Sequence, residues 1–163
     1  MDLEKLRATY RRTEQLTLLL LLIALPLFGV IYLYEQSGTL GGNLPQLSFL
    51  GQVMVLGSGG GLLLVHYLLF HRQIKQALQQ TDLSEKITTY LSATKIRFFL
   101  LMGVSVASSL GLLFSSNPGF VVLFALTLVF FSLGKPSPDR MMRLLKLKKQ
   151  DRELLIVISR PAY

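Results

Sequence analysis

The chain has 163 residues, of which 51% are hydrophobic and only 16% charged, with a mean hydropathy of +0.49. Soluble domains carry about 25% charged residues, so this composition excludes a soluble enzyme, a nucleic-acid-binding domain and a secreted disulfide scaffold, and it implies a membrane protein. Cysteine is absent, which removes disulfides, thiolate metal sites and cysteine nucleophiles, and the net charge of +8 has to be explained by where the charges sit.

The first apolar run extends from Leu16 to Leu33 without a charge and is followed by Tyr32 and Tyr34 at its far edge. Runs of about 18 or more apolar residues read as spanning helices, whereas a signal peptide's apolar region is about 7–15 residues. An uncleaved first span is expected, with Pro26 introducing a kink. Gly38, Gly41, Gly42, Asn43 and Pro45 then break the pattern. The second run, Leu47 to Phe70, contains Gly57-Ser58-Gly59-Gly60-Gly61, a cluster that a bilayer tolerates in a helix because the backbone must bond to itself. His71, Arg72 and Lys75 end the run, but Ile74, Ala77 and Leu78 continue the helical pattern to about Gln80. Asp82 and Glu85 resemble a capping box for a third helix. Its stripe Leu83, Ile87, Tyr90, Leu91 and Thr94 leads without a breaker into the apolar run Ile96 to Phe114. Asn117-Pro118-Gly119 is a tight turn with a cap and a first helical residue. The fourth run, Phe120 to Leu133, is short, and Gly134-Lys135-Pro136 stops it.

The 17 Lys and Arg fall in three segments. Lys5, Arg7, Arg11 and Arg12 precede the first span. Arg72, Lys75, Lys86, Lys95 and Arg97 lie between the second and third. Lys135, Arg140, Arg143, Lys146, Lys148, Lys149, Arg152 and Arg160 follow the fourth. The two remaining loops hold none, so the positive-inside rule places both termini and the central link in the cytoplasm. Tyr32, Tyr34, Tyr67 and Phe70 fit aromatic belts at the two interfaces.

The expected architecture is therefore an all-α membrane protein with four transmembrane helices in two antiparallel hairpins, cytoplasmic helical extensions and a basic C-terminal tail. Residues 1–134 form the bundle and residues 135–163 a cytoplasmic amphipathic tail. In the tail, Met141, Leu144 and Leu145 make an apolar edge flanked by Arg140, Arg143, Lys146, Lys148 and Lys149, a pattern suited to anionic lipid headgroups. Leu154 to Ile158 offer a second short helix or a segment packed on the bundle. The two halves share little beyond Tyr10 and Tyr90 at similar offsets before their spans, so a parallel duplication is weakly marked.

Chemistry-bearing residues are few. A proton or cation carrier needs an ionisable group at membrane depth, and Glu14, Glu35, Lys95 and Arg97 all sit at edges. His66 is the exception; a neutral, hydrogen-bonded imidazole is the expected reading, because haem ligation lacks a second histidine on a facing helix. Gln52, Ser58, Ser105, Ser108, Ser109 and Thr127 read as interhelical hydrogen-bonding residues. No catalytic residue, cofactor, metal or nucleic-acid partner is expected. Small residues at four-residue spacing, Gly57 and Gly61 in span two and Gly103, Ala107 and Gly111 in span three, predict that these two faces meet, within one chain or across a dimer.

The second half resembles a family of small four-span inner-membrane proteins of Bacteroidota-type bacteria. The similarity rests on Leu83-Ser84-Glu85-Lys86-Ile87, Tyr90, Ala93, Ile96-Arg97, Leu100-Leu101 and Gly103. Ser116-Asn117 and the tail residues Pro136-Ser137-Pro138, Leu145-Lys146-Leu147 and Glu153-Leu154-Leu155 add to it, over residues 80–156. It implies the topology, and an acidic residue before the glycine of span three where this chain has Met102. The functional expectation is a non-enzymatic integral protein of a bacterial cytoplasmic membrane. It would act as an accessory or assembly subunit of a larger complex or as a homo-oligomeric scaffold, with a small transporter or channel for a neutral or apolar solute as the rival.

Overall fold

The structure, a computed structural model, describes residues 3–38 and 44–159. The predicted chain break at Gly41, Gly42 and Asn43 lies outside the described residues. Among the described residues six helices follow one another: α1 (Leu3–Gln36), α2 (Phe49–Gln79), α3 (Leu83–Ser115), α4 (Gly119–Gly134), α5 (Pro138–Leu144) and α6 (Lys149–Ser159). There is no strand among the described residues. Pro26 lies inside α1, which runs on as one helix.

Three helices, α1, α2 and α3, are long and apolar enough to cross a membrane. Helix α4 has 16 residues, about 24 Å at 1.5 Å per residue, against a hydrocarbon core of about 30 Å. It is followed after Lys135-Pro136-Ser137 by α5, bent 84° away. Pro136 cannot continue the helix, and Ser137 starts α5 by accepting a hydrogen bond from the Arg140 backbone N–H at 3.3 Å.

Helix α3 is the hub. In its most apolar 18-residue stretch 44% of residues are buried, against 17% in α1 and in α2. It packs closely on α1, α2 and α4, and α1 meets α2 through the buried clusters built on α3, where Ala24 lies with Leu63 and Tyr10 with Ile74. Helices α2 and α3 run antiparallel. At one end the chain turns through Gln80, Thr81 and Asp82; at the other the Leu47 N–H donates to the Phe114 carbonyl at 2.7 Å. Helix α1 is parallel to α3, since Tyr10 joins Tyr90 in one buried cluster and Phe28 joins Leu112 in another. Asp82 is the N-cap residue of α3, but its side chain accepts no cap hydrogen bond, so the capping box is not made. Helix α3 ends at Ser116 in the left-handed region (φ 51°), and Asn117 Oδ1 accepts from the Gly119 N–H at 2.8 Å.

All the described Lys and Arg lie towards one end of the bundle, here named the basic end; the end holding the α3–α4 turn is the loop end. At the basic end the tail does not stand apart. Met141, Leu145, Leu147, Leu155 and Ile158 are buried in one cluster with Leu6 and Tyr10 of α1, Ile74 and Ala77 of α2, and Leu83, Ile87, Tyr90 and Leu91 of α3. The Arg7 guanidinium donates to the Val157 carbonyl at 2.8 Å, holding α6 against α1.

Candidate functional site

The small residues singled out by spacing do not form an interface within the chain. A Cβ built on Gly57, Gly61 or Gly103 meets nothing within 4 Å. Gly57 and Gly103 are exposed, and Gly61 and Ala107 are half-buried. Only Gly111 is a point of close approach, and its neighbour is Phe120 of α4, not α2. The glycines that let helices touch are Gly59, where a Cβ would lie 2.6 Å from Leu123, Gly111, and Gly134, where it would lie 2.9 Å from Phe98. The buried stripe of α2 explains the difference. Gly59, Leu63, His66, Ile74 and Ala77 share its inward face, so Gly57 and Gly61 fall on the outward one.

Of Gln52, Ser58, Ser105, Ser108, Ser109 and Thr127, Gln52 alone bonds outside its own helix, to the turns at the loop end. Asn117 Nδ2 donates to Gln52 Oε1 at 2.8 Å, and Gln52 Nε2 donates to the Leu47 carbonyl at 3.0 Å. Ser58, Ser108, Ser109 and Thr127 instead donate to carbonyls three or four residues back on their own helices. Ser105 Oγ and both His66 ring nitrogens are buried with no hydrogen-bond partner. The His66 ring lies against the Leu62 and Leu63 backbone of its own helix and meets Phe130 edge-on with centroids 4.8 Å apart.

The apolar edge predicted for the tail turns out to be its docking face, since Met141 and Leu145 are buried in the basic-end cluster. The basic residues are left outside it. Lys146, Lys148, Lys149 and Arg143 are exposed, and Arg140 is half-buried. Lys146 adopts a left-handed φ of 48°, which breaks α5 from α6.

Where α5 turns back across α4, a cleft of about 560 Å³ opens between Tyr67, Phe70 and His71 of α2, Arg97 of α3, Phe130 and Leu133 of α4, and Arg140, Arg143 and Leu144 of α5. Arg97 is its floor. Sequence reasoning set this residue among the topogenic charges, but it is only 5% exposed. Its position continues the stripe Tyr90, Thr94, Arg97 and Leu101, which is the signal that could have found it. One Nη donates to the Phe130 carbonyl at 3.3 Å, and the guanidinium carbon lies 5.0 Å above the Phe70 ring. Phe70, expected in an aromatic belt, thus supports a cation. Arg97 Nε has no hydrogen-bond partner. Gly134 leaves it room: a Cβ there would come within 3.3 Å of that nitrogen. No acidic side chain lines the cleft, and the charge acting on Arg97 is that of Arg140.

Beneath the cleft, Tyr90 is fully buried with its hydroxyl unpartnered, and Tyr10 packs in the same cluster. Burial pushes the Tyr10 phenol up to about 12, with the Glu14 carboxylate adding to it, and burial raises the Tyr90 phenol as well. Both stay protonated across physiological pH and can act as O–H donors. Among the described residues no group of three or more His, Cys, Asp or Glu is placed to hold a metal ion.

No protein-family model, curated protein or solved structure matches the chain. The family resemblance of the second half rests on its sequence motifs alone.

Proposed function

We propose that the chain is a non-enzymatic, four-span protein of a bacterial cytoplasmic membrane. It acts by helix packing, as an accessory or assembly subunit of a membrane complex or as a homo-oligomeric scaffold. In this reading α4, extended by the corner into α5, is the fourth span. Both termini, the α2–α3 turn and the basic end are cytoplasmic, as the distribution of Lys and Arg implies. The exposed tail residues Lys146, Lys148 and Lys149 then face anionic headgroups.

The observation that carries the reading is the outward face of α2. Gly57 and Gly61 leave a shallow groove that no described residue fills, flanked by Met54, Leu64 and Leu68, which are 66%, 68% and 65% exposed. In lipid, helices associate through backbone approach at such small-residue grooves, because lipid tails are as apolar as leucine and exert no hydrophobic drive. The rival transport reading needs a polar path, and most interior hydroxyls are bonded to their own helices.

The absence of cysteine makes the test clean. Gly57→Cys and Gly61→Cys, oxidised in isolated membranes, are expected to give a disulfide-linked dimer or a cross-link to another membrane subunit. Val129→Cys, exposed on α4, is the control expected to give neither. A monomer with no cross-link at position 57 or 61 would contradict the scaffold reading and favour transport.

A further inference from the structure

We propose that the cleft floored by Arg97 binds the phosphate of an anionic phospholipid, with Arg140 and Arg143 closing over the headgroup and Tyr67 and Leu133 lying along the start of an acyl chain. A buried guanidinium is strongly unfavourable unless it is paired. Here the compensation inside the chain is one carbonyl and one aromatic face, while Arg97 Nε has no partner. The neighbouring charge, Arg140, is of the same sign and makes the deficit larger. An anion in the cleft offsets the like charges of Arg97 and Arg140, and a phosphate suits the flat, multi-donor geometry of arginine better than a single-point acceptor does.

The rest of the lining selects the anion's source. Tyr67 and Leu133 are 56% and 55% exposed on the outer surfaces of α2 and α4, where an apolar tail would run, and the cations gather at the α5 side. A free phosphate would use the cations and leave this apolar wall bare; an anionic phospholipid uses both. Basic pockets at the cytoplasmic ends of spanning helices are suited to anionic lipid headgroups.

The inference rests on the proposed placement of the basic end at a membrane surface. Recovery of the chain in the membrane fraction checks that placement by itself, so its failure is separable from failure of the cleft. The binding test uses the full chain in neutral detergent and follows the thermal unfolding midpoint during titration with phosphatidylglycerol, phosphatidylcholine or inorganic phosphate. Phosphatidylglycerol is expected to raise the midpoint saturably, and the other two are not. Arg140→Gln and Arg143→Gln, on the surface of a short helix, should each weaken the response by about tenfold, as loss of one charge-assisted contact implies. Lys148→Gln with Lys149→Gln removes as much charge outside the cleft and should leave it unchanged. Arg97→Met should abolish the response and also raise the midpoint of the lipid-free protein, because the unpaired charge is gone. An equal response to phosphatidylcholine or to inorganic phosphate would overturn the assignment. So would Arg140→Gln and Arg143→Gln variants that bind phosphatidylglycerol like the parent.

Discussion

At the loop end, polar groups meet one another: Asn117 bonds Gln52, Gln52 bonds the Leu47 carbonyl, and Leu47 bonds the Phe114 carbonyl. At the basic end the helices are closed instead by an apolar cluster drawn from α1, α2, α3 and the tail, and the cleft beside it holds cations without anions. An end whose donors and acceptors are matched within the chain needs nothing further. An end that leaves a buried guanidinium unmatched shows where something from outside belongs. The forces differ too. A cluster in water gains about 1.5–3 kcal/mol for each large apolar side chain fully buried, whereas helices in lipid hold together mainly by close packing and hydrogen bonds.

Five substitutions separate the two ends, each read as thermal or denaturant stability in detergent. The largest effect is expected from Phe120→Ala, which removes the ring that lies against Gly111 and shares a buried cluster with Phe28 and Phe124; a loss of about 3–5 kcal/mol follows from the transfer and cavity terms. Gly111→Val forces methyls into the same ring and should destabilise by about 1–3 kcal/mol. Gly103→Leu, facing open space, should stay within about 0.5 kcal/mol of the parent. If the two glycines behave alike, the packing of α4 on α3 described here is wrong. Asn117→Ala strips the loop end of its bonds to Gln52 and Gly119 and should lose about 1 kcal/mol. Arg7→Gln acts locally: its bond to the Val157 carbonyl is exposed, and its loss should free α6 to proteolysis while lowering global stability by no more than about 0.5–1 kcal/mol.

Helix ends were readable because capping and breaking residues act locally. Gln80 and Leu83 bound the α2–α3 turn, and Asn117 Oδ1 accepts from the Gly119 N–H, although Pro118 and not Asn117 is the N-cap residue of α4. Which helix faces which was not readable. Periodicity reports a difference between water and core, and a helix apolar on all sides such as α4 carries no such difference. Hence the order of the helices does not by itself reveal that α1 packs chiefly on α3. The glycine cluster at 57–61 likewise offered four glycines with nothing local to choose among them; only the buried stripe through Leu63 and His66 selects Gly59. Arg97 was obscured for another reason. Charge near a span end is explained by topology before any other role is sought, and the stripe that buries it had to be carried one turn further to see it.

The central claim is that the two ends lie on opposite sides of a membrane, the loop end outside and the basic end in the cytoplasm. Single cysteines at Gln46, Thr81 and Gln150, each exposed, test it with an impermeant maleimide on intact spheroplasts. Gln46→Cys is predicted to label at once, and Thr81→Cys and Gln150→Cys only after permeabilisation. Labelling of Thr81→Cys from outside would contradict the account.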